Sequence, residues 1–158
     1  MTIHDAGDYI ISKMTEGDES LNVIKLQKLV YYAQAWHLAF EGRPLFEGRF
    51  QAWVHGPVSR ELYDRFRDTK TLYSPVGYSD VRPGFSPNDL DPAERSHIDA
   101  VLEVYGQFSG SQLEDMTHRE EPWVRARGGR RPTQRCDELL DEELMRSYYG
   151  ARVAKAGG

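Results

Sequence analysis

The segment VIKLQKLVYYAQAWHLAF, residues 23–40, constrains the fold more than any other stretch of the chain. Asn22 before it is suited to cap a helix N-terminus. Gly42 beyond it can end a helix in the left-handed conformation, and Arg43-Pro44 cannot continue one. At 100° per residue, Leu26, Leu29, Ala33, Trp36 and Phe40 fall within an arc of about 80°. Ile24, Tyr31, Ala35, Leu38 and Ala39 are apolar on the far side. A helix apolar almost all round is normally buried on most faces. It is expected to be the central helix, with Leu26, Leu29, Ala33, Trp36 and Phe40 in the core.

The rest of the chain supplies smaller pieces to pack around it. Ala6, Tyr9, Ile10 and Met14 repeat at helical spacing. Phe50, Ala52 and Val54 alternate with Gln51, Trp53 and His55, the period of a short strand or pair of strands. Gly56-Pro57 closes that element, and Pro57 suits the first turn of a helix carrying Val58, Leu62 and Phe66. Residues 70–90 are rich in proline and glycine and read as loop, with a small strand near Leu72-Tyr73. Asp91-Pro92-Ala93-Glu94 combines an N-cap, a first-turn proline and a carboxylate three residues on, and starts a helix through Ile98, Val101, Leu102, Tyr105 and Phe108. A short helix from about Ser111 leads to THREEPW, and a last one runs through Leu139, Leu140, Leu144, Met145 and Tyr148. The expected fold class is mainly α (α+β): a compact helical domain over residues 1–150 around a central buried helix, with a small β element and a frayed tail, 151–158.

Composition narrows the chemistry. No run approaches membrane-spanning length, and a single cysteine, Cys136, cannot form an internal disulfide, which points to a reducing cytoplasm. The five histidines include no H-x-x-x-H or H-E-x-x-H pair, and no G-x-S-x-G or phosphate-cradling glycine loop occurs. No catalytic, cofactor or metal residue is therefore assigned. The paired carboxylates Glu120-Glu121 and Glu142-Glu143 read as exposed. A net charge of −5 argues against a general grip on nucleic acid. The run Arg125, Arg127, Arg130, Arg131 and Arg135 is the best hint of it, but given the acidic remainder a solvated, flexible loop is the favoured reading, and a docking patch for an acidic partner protein is a third.

Rings are abundant where reactive groups are scarce. Two of the three tryptophans and three of the nine tyrosines lie between Lys25 and Phe66. Trp53 and Tyr63 fit either a core or an interface, because Trp, Tyr and Arg are the residues enriched at binding hot spots. Trp53, Arg60 and Tyr63 flank the Gly56-Pro57 turn on a shared surface.

KLQKLVYYAQAWHL, FQAWVHGPVSRELYDRF and LEDMTHREEPW, in that order, resemble the three signature blocks of the Panacea-domain family, also called SocA-like and often labelled phage-associated. The resemblance runs from about residue 5 to 150. Its positions are Lys25, Leu26, Lys28, Leu29, Tyr31, Tyr32 and Trp36; Trp53, Gly56, Pro57, Val58 and Tyr63; and Thr117, His118, Pro122 and Trp123. The resemblance implies a non-catalytic antitoxin that neutralises a co-encoded protein toxin by direct binding. One member resembles a protease adaptor instead, delivering its toxin to an ATP-dependent protease, and that alternative stays open beside nucleic-acid binding through Arg125–Arg135. Expected partner-binding residues are Trp53, His55, Gly56, Pro57, Arg60, Tyr63, His118 and Trp123. An acidic chain suits a basic toxin. No helix-turn-helix precedes the first block, so autoregulation through DNA is not expected.

Overall fold

The computed structural model describes residues 1–157, with side chains to Val153. Its helices are α1 (Ile3–Glu16), α2 (Val23–Glu41), α3 (Arg60–Phe66), α4 (Pro92–Tyr105), α5 (Gly110–Thr117), α6 (Glu121–Arg127) and α7 (Glu142–Gly157). Between α2 and α3 lies an antiparallel hairpin of β1 (Gln51–Trp53) and β2 (Gly56–Val58), in register Gln51↔Val58, Ala52↔Pro57, Trp53↔Gly56. The fold is thus mainly helical with one small sheet, as the pattern predicts. No helix among the described residues is long and apolar enough to cross a membrane.

α2 is the hub, touched by α1, α3, α4, α5, α7 and β2. The Asn22 side chain accepts from the Lys25 N–H at its start, and Gly42 ends it at φ +71°, a conformation open to glycine because it lacks a Cβ. From Val23 to Ala35 the helix is buried on every face, including its polar residues Lys25, Gln27, Lys28 and Gln34. Each of these is held by backbone from another segment of the chain. Gln34 receives the Leu45 N–H at 2.8 Å and donates to the Phe46 carbonyl at 2.8 Å. The Lys25 amine donates to the Gly106 carbonyl at 2.7 Å.

The expected core requires one clear correction. Leu26, Leu29 and Ala33 are fully buried, but Trp36 is only partly buried and Phe40 is 58% exposed. The arc is right and its length is wrong, since cover fades over the last turn of α2, where Phe40 has the Trp36 and His97 rings at its side and the rest of its ring open to solvent. Leu29→Ala is therefore expected to cost about 2–5 kcal/mol by opening a cavity. Phe40→Ala should cost under ~1 kcal/mol. Urea titrations of both variants check the contrast.

Other departures have local causes. Pro57 sits in β2 rather than in a helix, and α3 starts after Ser59, whose hydroxyl accepts the Leu62 N–H. Residues 72–74 form no named strand: the Leu72 and Ser74 carbonyls accept from the Ile24 and Val23 N–H groups, donors left free in the first turn of α2. Residues 138–140 are extended, with the Ala52 N–H donating to the Glu138 carbonyl and the Leu140 N–H to the Phe50 carbonyl, so α7 starts later than its apolar pattern suggests. It then buries Tyr149 where Tyr148 was expected. The expected frayed tail overlaps α7, which continues to Gly157; Gly158 lies outside the described residues.

Candidate functional site

Three distant segments converge on the hairpin. From α2, Gln27 forms a two-way clamp on Ser59, donating to its carbonyl at 3.1 Å and accepting its N–H at 2.9 Å. One residue on, the Lys28 amine donates to the Pro57 carbonyl at 3.0 Å and is fully buried. Burial lowers the Lys28 pKa to about 7, against a smaller raising influence of Glu114. From α6, the Trp123 indole N–H donates to the Trp53 carbonyl at 2.8 Å, and the Arg127 guanidinium to the Ala52 carbonyl at 2.9 Å. Gly56 lies between Lys28 and Thr117 at φ +94°. A two-stranded hairpin is marginal alone; here its backbone is gripped from both sides.

The expected partner-binding residues divide accordingly. Gly56, Pro57 and Trp123 are buried and belong to the frame, so none offers a surface to a partner. His118 stacks on Trp123 with ring centroids 4.2 Å apart, and burial lowers its pKa. Trp53, His55, Arg60 and Tyr63 instead line one open groove of about 650 Å³, together with residues of α3, the 70–72 loop and the 133–137 loop. Trp53 meets Tyr63 edge to face at 4.9 Å, and the Arg60 guanidinium lies 5.7 Å from the Tyr63 centroid. The His55 ring contacts Glu114 at 3.1 Å.

The arginine run does not form a patch. Arg127 is buried, and besides Ala52 it donates to the Arg131 and Gln134 carbonyls. Arg130 donates to the Arg127 carbonyl and lies 3.7 Å from Glu138, while Arg125 lies 3.7 Å from Glu121. Arg135 alone lines the groove.

Sequence reasoning also missed a buried carboxylate. Glu120, expected to be exposed, is 3% exposed and accepts from the Tyr32 and Tyr149 hydroxyls at 2.9 and 2.8 Å, with Arg152 3.3 Å from its other oxygen. Burial raises its pKa, and these three partners oppose the shift. Tyr149 in turn reaches the Tyr31 hydroxyl at 3.1 Å. A tyrosine pair in a buried helix is the signal that pointed there, since buried phenols require polar partners. Glu120→Ala should therefore strand the Tyr32 hydroxyl, take one of the two partners of the Tyr149 hydroxyl and cost about 2–3 kcal/mol, read by chemical denaturation, whereas the exposed neighbour Glu121→Ala should be neutral.

Fold and site together define a small helical scaffold that holds a short hairpin rigid beside a surface groove. The chain belongs to the antitoxin SocA-like, Panacea domain family, whose model matches residues 26–124. It is 33% identical over 122 residues to "Antitoxin SocA" of Caulobacter vibrioides (strain NA1000 / CB15N), a match covering 72% of this chain and 64% of that relative. No solved structure matches it.

Proposed function

We propose that this protein is an antitoxin that neutralises a co-encoded toxin by binding it directly at the groove beside the hairpin. Family membership and the similar antitoxin support the class. One observation carries the direct-binding reading: Trp53, Tyr63 and Arg60 stay accessible around a single groove while buried side chains from two other helices hold the hairpin still. Pre-organised aromatic and arginine side chains form a binding surface with little ordering entropy to overcome.

Co-expression with the adjacent gene tests the reading. The neighbour alone should arrest growth, and the pair should grow and co-purify. Trp53→Ala and Tyr63→Ala should each weaken the complex by about 2 kcal/mol or more, as expected of hot spots, with the melting midpoint little changed. A harmless neighbour, or a toxic one that forms no complex, would sink the proposal. Delivery to a protease makes a different prediction: the toxin's half-life lengthens when ATP-dependent proteases are removed, and neutralisation is lost with it. Binding to nucleic acid loses much of its sequence hint, because Arg127 of the run is internal while Arg125 and Arg130 lie beside acidic residues.

A further inference from the structure

The chain is acidic overall, but its groove is not. Arg60, Arg67, Lys70 and Arg135 line it beside Trp53 and Tyr63, and Asp137 is the one acidic residue of the lining. The other acids sit behind the cations. Asp64 lies 3.2 Å from both Arg60 and Arg67, one turn either side of it on or next to α3. Asp68 is 3.9 Å from Arg67, and Asp80 is 3.4 Å from Lys70, whose amine also donates to the Pro75 carbonyl. Glu114 similarly holds His55. Arg135 has no ion pair among the described residues. A carboxylate behind two guanidiniums restrains both, which reduces what they lose on engaging a third group in front.

Resting on the binding site proposed above, we infer that the groove takes an acidic segment of the partner protein, a few residues long, with an aromatic or aliphatic side chain among its carboxylates. Three arginines can pair with carboxylates, and bidentate pairing is the geometry that guanidinium favours. The edge-to-face Trp53–Tyr63 pair supplies an apolar wall for the interspersed ring. The volume, about 650 Å³, is within the range of roughly 300–1,000 Å³ that encloses a small ligand, and so accommodates a segment rather than a domain face. Charge decides against a nucleic-acid strand. A polyanion presents its phosphates along its whole length, and outside the groove it would meet Asp64, Asp68 and Asp80 on a protein of net charge −5. A short acidic segment places its carboxylates only where the arginines are.

Panning a phage-displayed library of random peptides against the whole protein tests this. Counter-selection uses the double variant Arg67→Gln with Arg135→Gln; both residues are exposed, and its melting midpoint should match the wild type. Enriched peptides should be net negative with an aromatic or large aliphatic residue. Resynthesised, they should bind at least ~tenfold more weakly to the double variant and lose affinity as salt rises. Neutral or basic winners, equal binding to the variant, or no enrichment would overturn the inference. So would a short single-stranded oligonucleotide that binds more tightly than the peptides with the same dependence on Arg67 and Arg135. Toxin neutralisation separates the two proposals. If the double variant holds the toxin as tightly as wild type, the acidic-segment inference falls and the antitoxin reading stands. If wild-type protein fails to neutralise its neighbour, the antitoxin reading falls while the peptide result still decides the groove.

Discussion

Gly56→Ala should cost about 2–6 kcal/mol and lower the melting midpoint by roughly 5–20 °C, a large part of a typical domain stability of about 5–15 kcal/mol. Two independent terms add. At φ +94° an alanine is strained, worth on the order of 1–3 kcal/mol. The new methyl group would also stand 2.6 Å from Lys28 Cε and 2.8 Å from Thr117 Oγ1. Both neighbours are fully buried, so neither can swing into solvent, and overpacking of this kind costs roughly another 1–3 kcal/mol. A thermal melt beside wild type reads the sum. Shortening Lys28 in the same background separates the terms: the clash is relieved and the backbone strain stays. A Gly56→Ala protein melting within about 2 °C of wild type would show that the hairpin is not held as tightly as the geometry requires.

The same residue marks what was legible in the sequence. The Gly56-Pro57 pair signals a nearby turn, but the turn falls at Val54-His55 and both residues belong to β2, so the signal was read two residues late. That Gly56 must also be small because Lys28 and Thr117 converge on it is a long-range fact with no local signature. Gln27 and Lys28 illustrate the same limit, since on an apolar helix their polar ends have no visible destination until the end of β2 and the cap of α3 fold over them. Helix starts at Asn22 and Asp91 were legible because the capping atoms lie within three residues. Phe40 was misread because periodicity reports a direction and not how far the neighbours reach. α6 was missed although Pro122 stands in its first turn and Gly128 just past its end, both ordinary boundary signals. The candidate site was half legible. Trp53, Arg60 and Tyr63 share a surface as expected, while Arg67 and Arg135, which complete it, carry no motif. Of the residues that carry the family resemblance, Lys28, Gly56, Pro57, Thr117 and Trp123 are buried frame, whereas Trp53 and Tyr63 line the groove.

Lys28→Met is expected to be more stable than wild type near pH 7, by a margin that closes across the alkaline range. In the unfolded chain the lysine holds its proton up to about pH 10.5, whereas in the fold burial makes it release the proton near pH 7. Between those values the unfolded state binds more protons, so wild-type stability rises with pH and falls as pH is lowered. Below about pH 7 both states are protonated and the loss is complete. At 1.36 kcal/mol per pH unit, the interval from about 7 to 10.5 sets a ceiling near 5 kcal/mol, and relaxation around the amine makes roughly 3–5 kcal/mol the expected span. Methionine fills similar volume and does not titrate, but it leaves the Pro57 carbonyl without its donor, a pH-independent cost of about 1 kcal/mol. The variant should therefore be more stable than wild type by about 2–4 kcal/mol near pH 7, with the gap closing to about zero as pH approaches 10. The comparison belongs below about pH 10, because buried tyrosines with raised pKa values, Tyr31 and Tyr149 among them, impose the opposite slope above it. Urea unfolding of both proteins across this window measures the difference directly. Curves that stay parallel would mean the amine keeps its proton in the fold, and that the grip of Lys28 on Pro57 is a charged one.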